Sequence, residues 1–353
     1  MAHDTQGTSD PPPTLDELPD PPPDKTGWPW TEQSDSLSET QPDGSPWPKL
    51  SIVTPSYNQG QFLEATIRSV LLQGYPNLEY VVMDGGSTDE SVDIIQKYDK
   101  WIDFWRSEAD RGQSYAINNG FSHCSGDFGN WQNSDDLFCK NAFQNVVTSV
   151  HSLQPDRFYV GNCIVIDREE NRKHRGRGDV HSLRELIQIR DLWRNGKSIP
   201  QSAVLFPLEA YDAVGGLDED NVYTMDYDLW GRFFLRELDV EYLDVDVGMF
   251  RQHAEQKTAR RWHSEKSIVR VAHRLIDQCE TWSPEEKQSL HNQTQEYLDD
   301  VWRETGPLAR MGLPEGIVLK LRRLHERWKR LQIYLGGVKR EVKESLRGSH
   351  VSK

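Results

Sequence analysis

Aspartates recur in this chain just after short apolar runs, a placement that suits work on a phosphorylated substrate. Asp84 follows Leu78–Met83 and opens Asp84-Gly85-Gly86-Ser87-Thr88-Asp89, where glycines let backbone and ligand approach closely. Asp135-Asp136 follow Phe128–Gln132. Adjacent carboxylates repel unless a cation or hydrogen bonds hold them, so this pair points to a hard divalent ion. Mg²⁺ or Mn²⁺ on one or two carboxylates completes its shell with water and phosphate oxygens. A third set of acids lies in Met225-Asp226-Tyr227-Asp228-Leu229-Trp230, where one could be a general base for a substrate hydroxyl. Arg251-Gln252-His253 and Lys257-Thr258 offer a ring nitrogen for a metal or phosphate and a cation against negative charge. Each motif alone also has a plainer reading: a turn with an N-cap, a solvated loop, a capped helix or a structural histidine.

The elements around these residues alternate. Leu50–Pro55 reads as a buried strand closed by proline, and Phe62–Gln73 has helical spacing. Leu78–Met83 reads as a second strand, Trp101–Trp105 as a third and Phe128–Gln132 as a fourth, with amphipathic helices between them. Such alternation predicts βαβ units on a mostly parallel sheet, whose ligands bind beyond the carboxyl ends of the strands. The acids sit at those ends. Further on, a strand is expected near Phe158–Ile166, then a polar loop over 167–179, a helix over 183–193 and a strand over 203–206. A helix over 227–238 and a strand over 241–250 follow, and beyond Thr258 the chain reads as helical.

Composition narrows the classes. The 353 residues suggest one large domain or two, and no apolar run approaches the ~18–20 residues of a membrane-spanning helix. Four cysteines lie far apart without CxxC spacing, which argues against a disulfide framework or a zinc cage. With no apolar stretch that reads as a secretory signal, a cytoplasmic location is expected. The net charge of -15 is uneven: residues 1–48 hold ten acids and one base, and 305–353 hold twelve bases and four acids. A body this acidic repels phosphate backbones, so no nucleic-acid partner is expected.

Taken in order, the motifs resemble the inverting family 2 glycosyltransferases of the GT-A fold. The likeness runs from Leu50-Ser51-Ile52-Val53-Thr54-Pro55-Ser56-Tyr57-Asn58 through Asp84–Asp89, Asp110–Asn118 and Trp131-Gln132-Asn133-Ser134-Asp135-Asp136. It continues with Pro200-Gln201-Ser202, Val214–Glu219, Met225–Trp230 and His253, and covers about residues 49–260. The resemblance implies an α/β fold, a Rossmann-like mixed sheet flanked by helices. Outside it, the repeated Asp-Pro-Pro-Pro and few aliphatic residues make 1–48 a disordered proline-rich acidic leader, and the helical pattern makes 261–353 a C-terminal helical extension. The resemblance also implies transfer from a nucleotide-sugar to a hydroxyl of a glycan or lipid-linked acceptor. Pro55, Tyr57 and Asp84 would surround base and ribose, and Asp110 and Arg111 would border the nucleotide-sugar. Asp135, Asp136 and His253 would hold Mg²⁺ or Mn²⁺ on the diphosphate, and Asp226, in preference to Asp228, would be the base. Gln201, Asp228 and Lys257 complete the expected substrate contacts. Two positions depart from the family: Asn133 stands where many relatives have Asp, and Met225 replaces the acid before the base.

Other readings stay open on the sequence alone. A sugar-nucleotide-forming nucleotidyltransferase also sets acids at sheet ends, but Ser56-Tyr57-Asn58-Gln59-Gly60 lacks that class's basic glycine-rich loop. A non-catalytic nucleotide- or glycan-binding module is the third class. The basic residues Arg168, Arg172, Lys173, Arg175 and Arg177 read either as an acceptor-side loop or as a solvated one. The stripe Ile317, Leu321, Leu324, Trp328, Leu331 and Leu335 fits packing on the domain, a helix pair or peripheral contact with an anionic membrane.

Overall fold

The computed structural model describes residues 2–4, 11–194, 197–253, 256 and 261–310. After a short strand β1 (Ala2–Asp4) come β2 (Leu50–Ser56), α1 (Gly60–Leu71), β3 (Leu78–Asp84), α2 (Ser91–Lys97), β4 (Phe104–Ser107) and α3 (Gln113–Phe121). Then follow β5 (Phe128–Trp131), β6 (Leu137–Phe138), α4 (Ala142–Ser149), β7 (Arg157–Ile166), β8 (Arg172–Gly176), α5 (Leu183–Ile187) and α6 (Ile189–Arg194). The remainder is β9 (Val204–Pro207), α7 (Leu208–Ala213), α8 (Met225–Leu235), β10 (Asp239–Arg251), α9 (Arg261–Gln278) and α10 (Pro284–Arg310).

The strands form one mixed sheet in the order β1-β4-β3-β2-β5-β9-β7-β10-β6, with β8 also paired to β7. The β4-β3-β2-β5 block is parallel, as the alternation predicts, while β9 runs antiparallel to both β5 and β7. Every residue of β2 is buried, which explains its unbroken run: a central parallel strand is covered on both faces. Its alternate side chains feed two cores. Leu50 and Ile52 join Leu63, Ile67 and Val70 of α1, whereas Val53 packs with Ile117 of α3 and Trp230 of α8. The second core is aromatic, with Trp230 stacked on Phe158 at 5.6 Å between ring centres and on Trp131 at 6.1 Å.

The chain divides into two units, one of residues 1–253 and 267–297 and the other of 254–266 and 298–353. Of the second, the described residues are 256, the start of α9 and the end of α10.

Three expectations change. Residues 11–48 are not a free leader, for Leu18, Trp30 and Trp47 are buried in the core beneath α1. The fully buried Arg68 of α1 explains this. Its guanidinium donates to the carbonyls of Pro19 (2.8 Å), Pro29 (3.0 Å) and Trp30 (3.0 Å), so the leader satisfies a charge that α1 cannot leave unpaired. Nor is 167–179 wholly a loop. Arg172–Gly176 is a strand, β8, whose exposed polar residues carry no apolar alternation because the strand packs no core. The helix expected over 183–193 is two short ones, α5 and α6. The stripe from Ile317 to Leu335 lies outside the described residues.

Candidate active site

The carboxyl ends of β2, β3, β4 and β5 deliver their loops to one edge of the sheet. At the β3 end Asp84 is buried and fully employed. Its carboxylate accepts the N–H groups of Gly86 (3.1 Å) and Ser87 (2.9 Å) and the hydroxyls of Ser87 (2.5 Å) and Ser107 (2.7 Å). It therefore shapes the turn in which Gly86 takes φ +80°, a conformation side chains avoid. Gly85 is a close-approach glycine. A Cβ there would stand 3.1 Å from the Asp110 carboxylate and 3.3 Å from the Tyr57 ring. Tyr57, Gly85 and Asp110 thus meet at one spot, and the Tyr57 ring is 62% exposed, ready for a flat partner. Pro55 is buried at the end of β2 behind it. Arg111, exposed, pairs with Glu219 at 2.9 Å and lies over the Tyr115 ring at 4.3 Å.

At the β5 end a network joins four segments. Asn133 accepts from Gln113 of α3 (2.8 Å) and donates to Gln201 (3.1 Å) and to Asp136 (3.1 Å). Gln201 donates in turn to Asn130 (3.0 Å) and to the Trp131 carbonyl (2.5 Å). The other Asp136 oxygen accepts the backbone N–H of Arg251 at 2.8 Å. Burial, and then the charge of Asp135, hold the Asp136 carboxyl well above the usual carboxylate range. Asp135 keeps some solvent contact, and one of its oxygens lies 2.9 Å from Nε2 of His253, whose ring stands 5.0 Å from that of Phe62.

Arg251 ties this corner together; the sequence named it beside His253 but assigned it no role. The buried guanidinium donates to the carbonyls of Asp135 (2.7 Å) and Arg168 (3.0 Å), reaches Glu170 at 3.4 Å and lies 4.8 Å from the Phe62 ring. Its position between an apolar strand and His253 was the available signal. Gln113 and Asn130 were missed too, and amides offer no periodic cue.

The acids of α8 separate cleanly. Asp228 is wholly buried and spent on ion pairs with Arg232 (3.0 Å) and Arg274. Asp226 is partly exposed and accepts only its neighbour's N–H, from Tyr227 at 2.8 Å, among the hydrogen bonds of the described residues. Burial by its neighbours pushes its carboxyl up, and the charge of Asp228 adds to this. The Ser114 hydroxyl, 3.0 Å from the Met225 sulfur, links α3 to the residue before Asp226. Lys257 lies outside the described residues.

Among the described residues no three His, Cys, Asp or Glu side chains cluster as a self-sufficient metal cage. Asp135 and His253 face each other as one carboxylate and one imidazole. That donor set fits a Mg²⁺ or Mn²⁺ ion whose other ligands are waters and substrate phosphates.

Comparison with known proteins gives the same outline. The model described as glycosyl transferase family 2 matches residues 51–215. An uncharacterised glycosyltransferase of Rickettsia prowazekii is 29% identical over 213 residues, 60% of this chain and 66% of the relative. A Campylobacter jejuni protein named GalNAc(5)-diNAcBac-PP-undecaprenol beta-1,3-glucosyltransferase is 30% identical over 128 residues, 35% of this chain and 40% of that one. The chain thus spans less than two thirds of each relative. Residues 1–349 of S. aureus TarS, solved in complex with UDP, share the fold at a TM-score of 0.50 and 15% identity, over 72% of each chain. The match begins in β2 and runs past β9, and the named relatives share it: residues 51–215 are similar to glycosyl transferase family 2.

Proposed function

We propose that this protein transfers a sugar from a nucleotide-sugar to a hydroxyl of a glycan or lipid-linked acceptor, with inversion at the anomeric carbon. The observation that carries the reading is the division of labour in the two acid sets: Asp135, facing His253, and Asp226 are partly exposed, while Asp136 and Asp228 are buried and engaged. The base and ribose would lie against Tyr57 and Gly85, with Pro55 and Asp84 holding that turn and Asp110 and Arg111 bordering the donor. The UDP bound by TarS and the undecaprenol-linked glycan in the C. jejuni name make a UDP-sugar and a lipid-linked acceptor the first substrates to try.

Asp135 and His253 would hold the divalent ion, with Asp136 fixing their loop. When bound, that ion offsets the charge that grows on the departing nucleoside diphosphate. Asp226 takes the proton of the acceptor hydroxyl as its oxygen attacks the anomeric carbon opposite the leaving group. A carboxyl raised by burial is a better base for this than an ordinary one. Gln201 positions Asn133 and through it the acid loop. The catalytic unit in this reading is 49–260, with 261–353 as an extension. Among the described residues no helix is long and apolar enough to cross a membrane.

A panel of UDP-, GDP- and dTDP-sugars with Mn²⁺ or Mg²⁺ tests the proposal. Turnover of one donor is expected, with the product's anomeric configuration, read by NMR, opposite to the donor's. No turnover of any donor, or retention of configuration, contradicts it.

A further inference from the structure

A cavity of about 480 Å³ opens beside the acid loop, lined by none of the residues expected to hold the donor or the metal. Arg172 and Arg175 in its lining come from the basic stretch that the sequence left open as acceptor-side or solvated. Three chain segments that leave the acid loop's corner run into it. Asp136 leads to Cys139 and Lys140, Arg168 and Glu170 lead to Arg172 and Arg175 of β8, and Arg251 is preceded by Met249. Met249 and Arg251 are two residues apart on β10 and so share a face, about 7 Å from each other. The groove's lining thus begins about 7 Å along β10 from Arg251, and its size is that of an ordinary small-ligand pocket.

Its lining has a distinct chemistry. Met249 and Cys139 are apolar, and the half-buried Trp28 adds an aromatic body whose indole N–H is held by the Phe138 carbonyl at 2.8 Å. Around these stand three cations and three acids that largely cancel. Lys140 pairs with Glu32 at 3.0 Å, and Arg175 pairs with Asp246 at 2.6 Å and Asp244 at 3.2 Å. The Arg172 guanidinium has no ion pair or hydrogen bond among the described residues, and the Asn145 amide adds a neutral donor and acceptor. A lining without net charge gives no attraction for a polyphosphate or an acidic polymer. An aromatic body ringed by planar donors and acceptors matches a ligand with apolar C–H faces and many hydroxyls.

We propose that this groove binds a neutral oligosaccharide, as the stretch of acceptor chain leading away from the acids. The inference rests on the glycosyl-transfer reading for the ligand's role, but the binding itself does not. It explains why a basic strand with no core to pack, β8, is set beside the leader's Trp28.

Saturation-transfer NMR on the full chain with maltopentaose, cellopentaose and chitopentaose, against galacturonic acid oligomers and inorganic phosphate, tests it. At least one neutral pentasaccharide should show saturation, bound at least ten-fold more tightly than its monosaccharide. Trp28→Ala and Arg172→Ala should each weaken it at least five-fold. Arg172 is exposed and unpaired, so its variant keeps the fold even if the Trp28 variant does not. Silence from all three neutral probes, a preference for the anionic ones, or binding untouched by Arg172→Ala overturns the proposal. Donor turnover is measured separately. Saccharide binding without donor turnover contradicts only the enzymatic reading, and turnover without saccharide binding contradicts only the groove.

Discussion

The loop after β5 and the first turn of α8 each carry two acids, and they handle the second one differently. In the β5 loop the inward acid, Asp136, is held by neutral donors, a backbone N–H and an amide. In α8 the inward acid, Asp228, is held by two guanidinium groups. Burial and the charge of Asp135 raise the Asp136 carboxyl against the pull of these donors, and a nearby cation can bring it down, so the β5 loop is built to respond to an ion. Two guanidinium groups hold Asp228 in place by ion pairs, so α8 is a rigid mount for its outward acid. Two acids close in sequence can thus be one tool and one bracket, and burial with partners tells which.

The largest effect expected from this contrast is on turnover. Asp226→Asn should cost about 10³-fold in kcat with donor binding kept, since a positioned general base contributes roughly 10²–10⁴-fold. An equal loss of donor binding would break the assignment. Asp228→Ala should act instead on stability. It leaves Arg232 without its anion and Arg274 with Asp218 alone, at 2.8 Å. A loss of about 2–4 kcal/mol is expected in denaturant titration, reduced from the fully buried case because Arg274 is partly exposed and keeps that partner. A variant as stable as the parent would remove the bracket role.

The pH dependence sharpens the same pair. Asp226 has a raised carboxyl, so activity should climb with pH through a value above the ordinary 3.8, and this limb should vanish in Asp226→Asn. Stability runs the other way. An acid raised in the folded state stabilises it most below the unfolded pKa and loses that contribution as pH rises through the folded pKa. Asp226→Asn should therefore melt about 2 °C above the parent at pH 8, with the gap closing toward pH 4. A gap that widens in acid would contradict the sign. The smallest effect is at a distance from both pairs. Arg68→Met should raise protease cutting within residues 11–48 while donor turnover changes less than about two-fold, because Arg68 meets leader carbonyls rather than the cleft.

Much of the frame was readable in advance. β2 and β3 are buried central strands whose mostly apolar residues set the acids at the strand ends, and β5, Phe128-Gly129-Asn130-Trp131, is buried beside them. What escaped depends on partners distant in sequence. The leader looks unstructured because its composition is prolines and acids, yet Leu18, Trp30 and Trp47 fold around Arg68, which no local pattern announces. β8 is an edge strand without apolar alternation, so it reads as a loop. Asp135 and Asp136 are alike in sequence, and so are Asp226 and Asp228. Arg251 and Arg274, brought from other elements, and Arg232, one turn further along α8, distinguish their members.

Electron paramagnetic resonance of Mn²⁺, titrated with UDP present into the parent, Asp135→Asn and Asp136→Asn proteins, bears most directly on the central division. Tight nucleotide-dependent Mn²⁺ binding should disappear in Asp135→Asn with the melting temperature unchanged. In Asp136→Asn it should weaken together with a drop in melting temperature. Parent-like Mn²⁺ affinity in the folded Asp135→Asn protein would contradict the account.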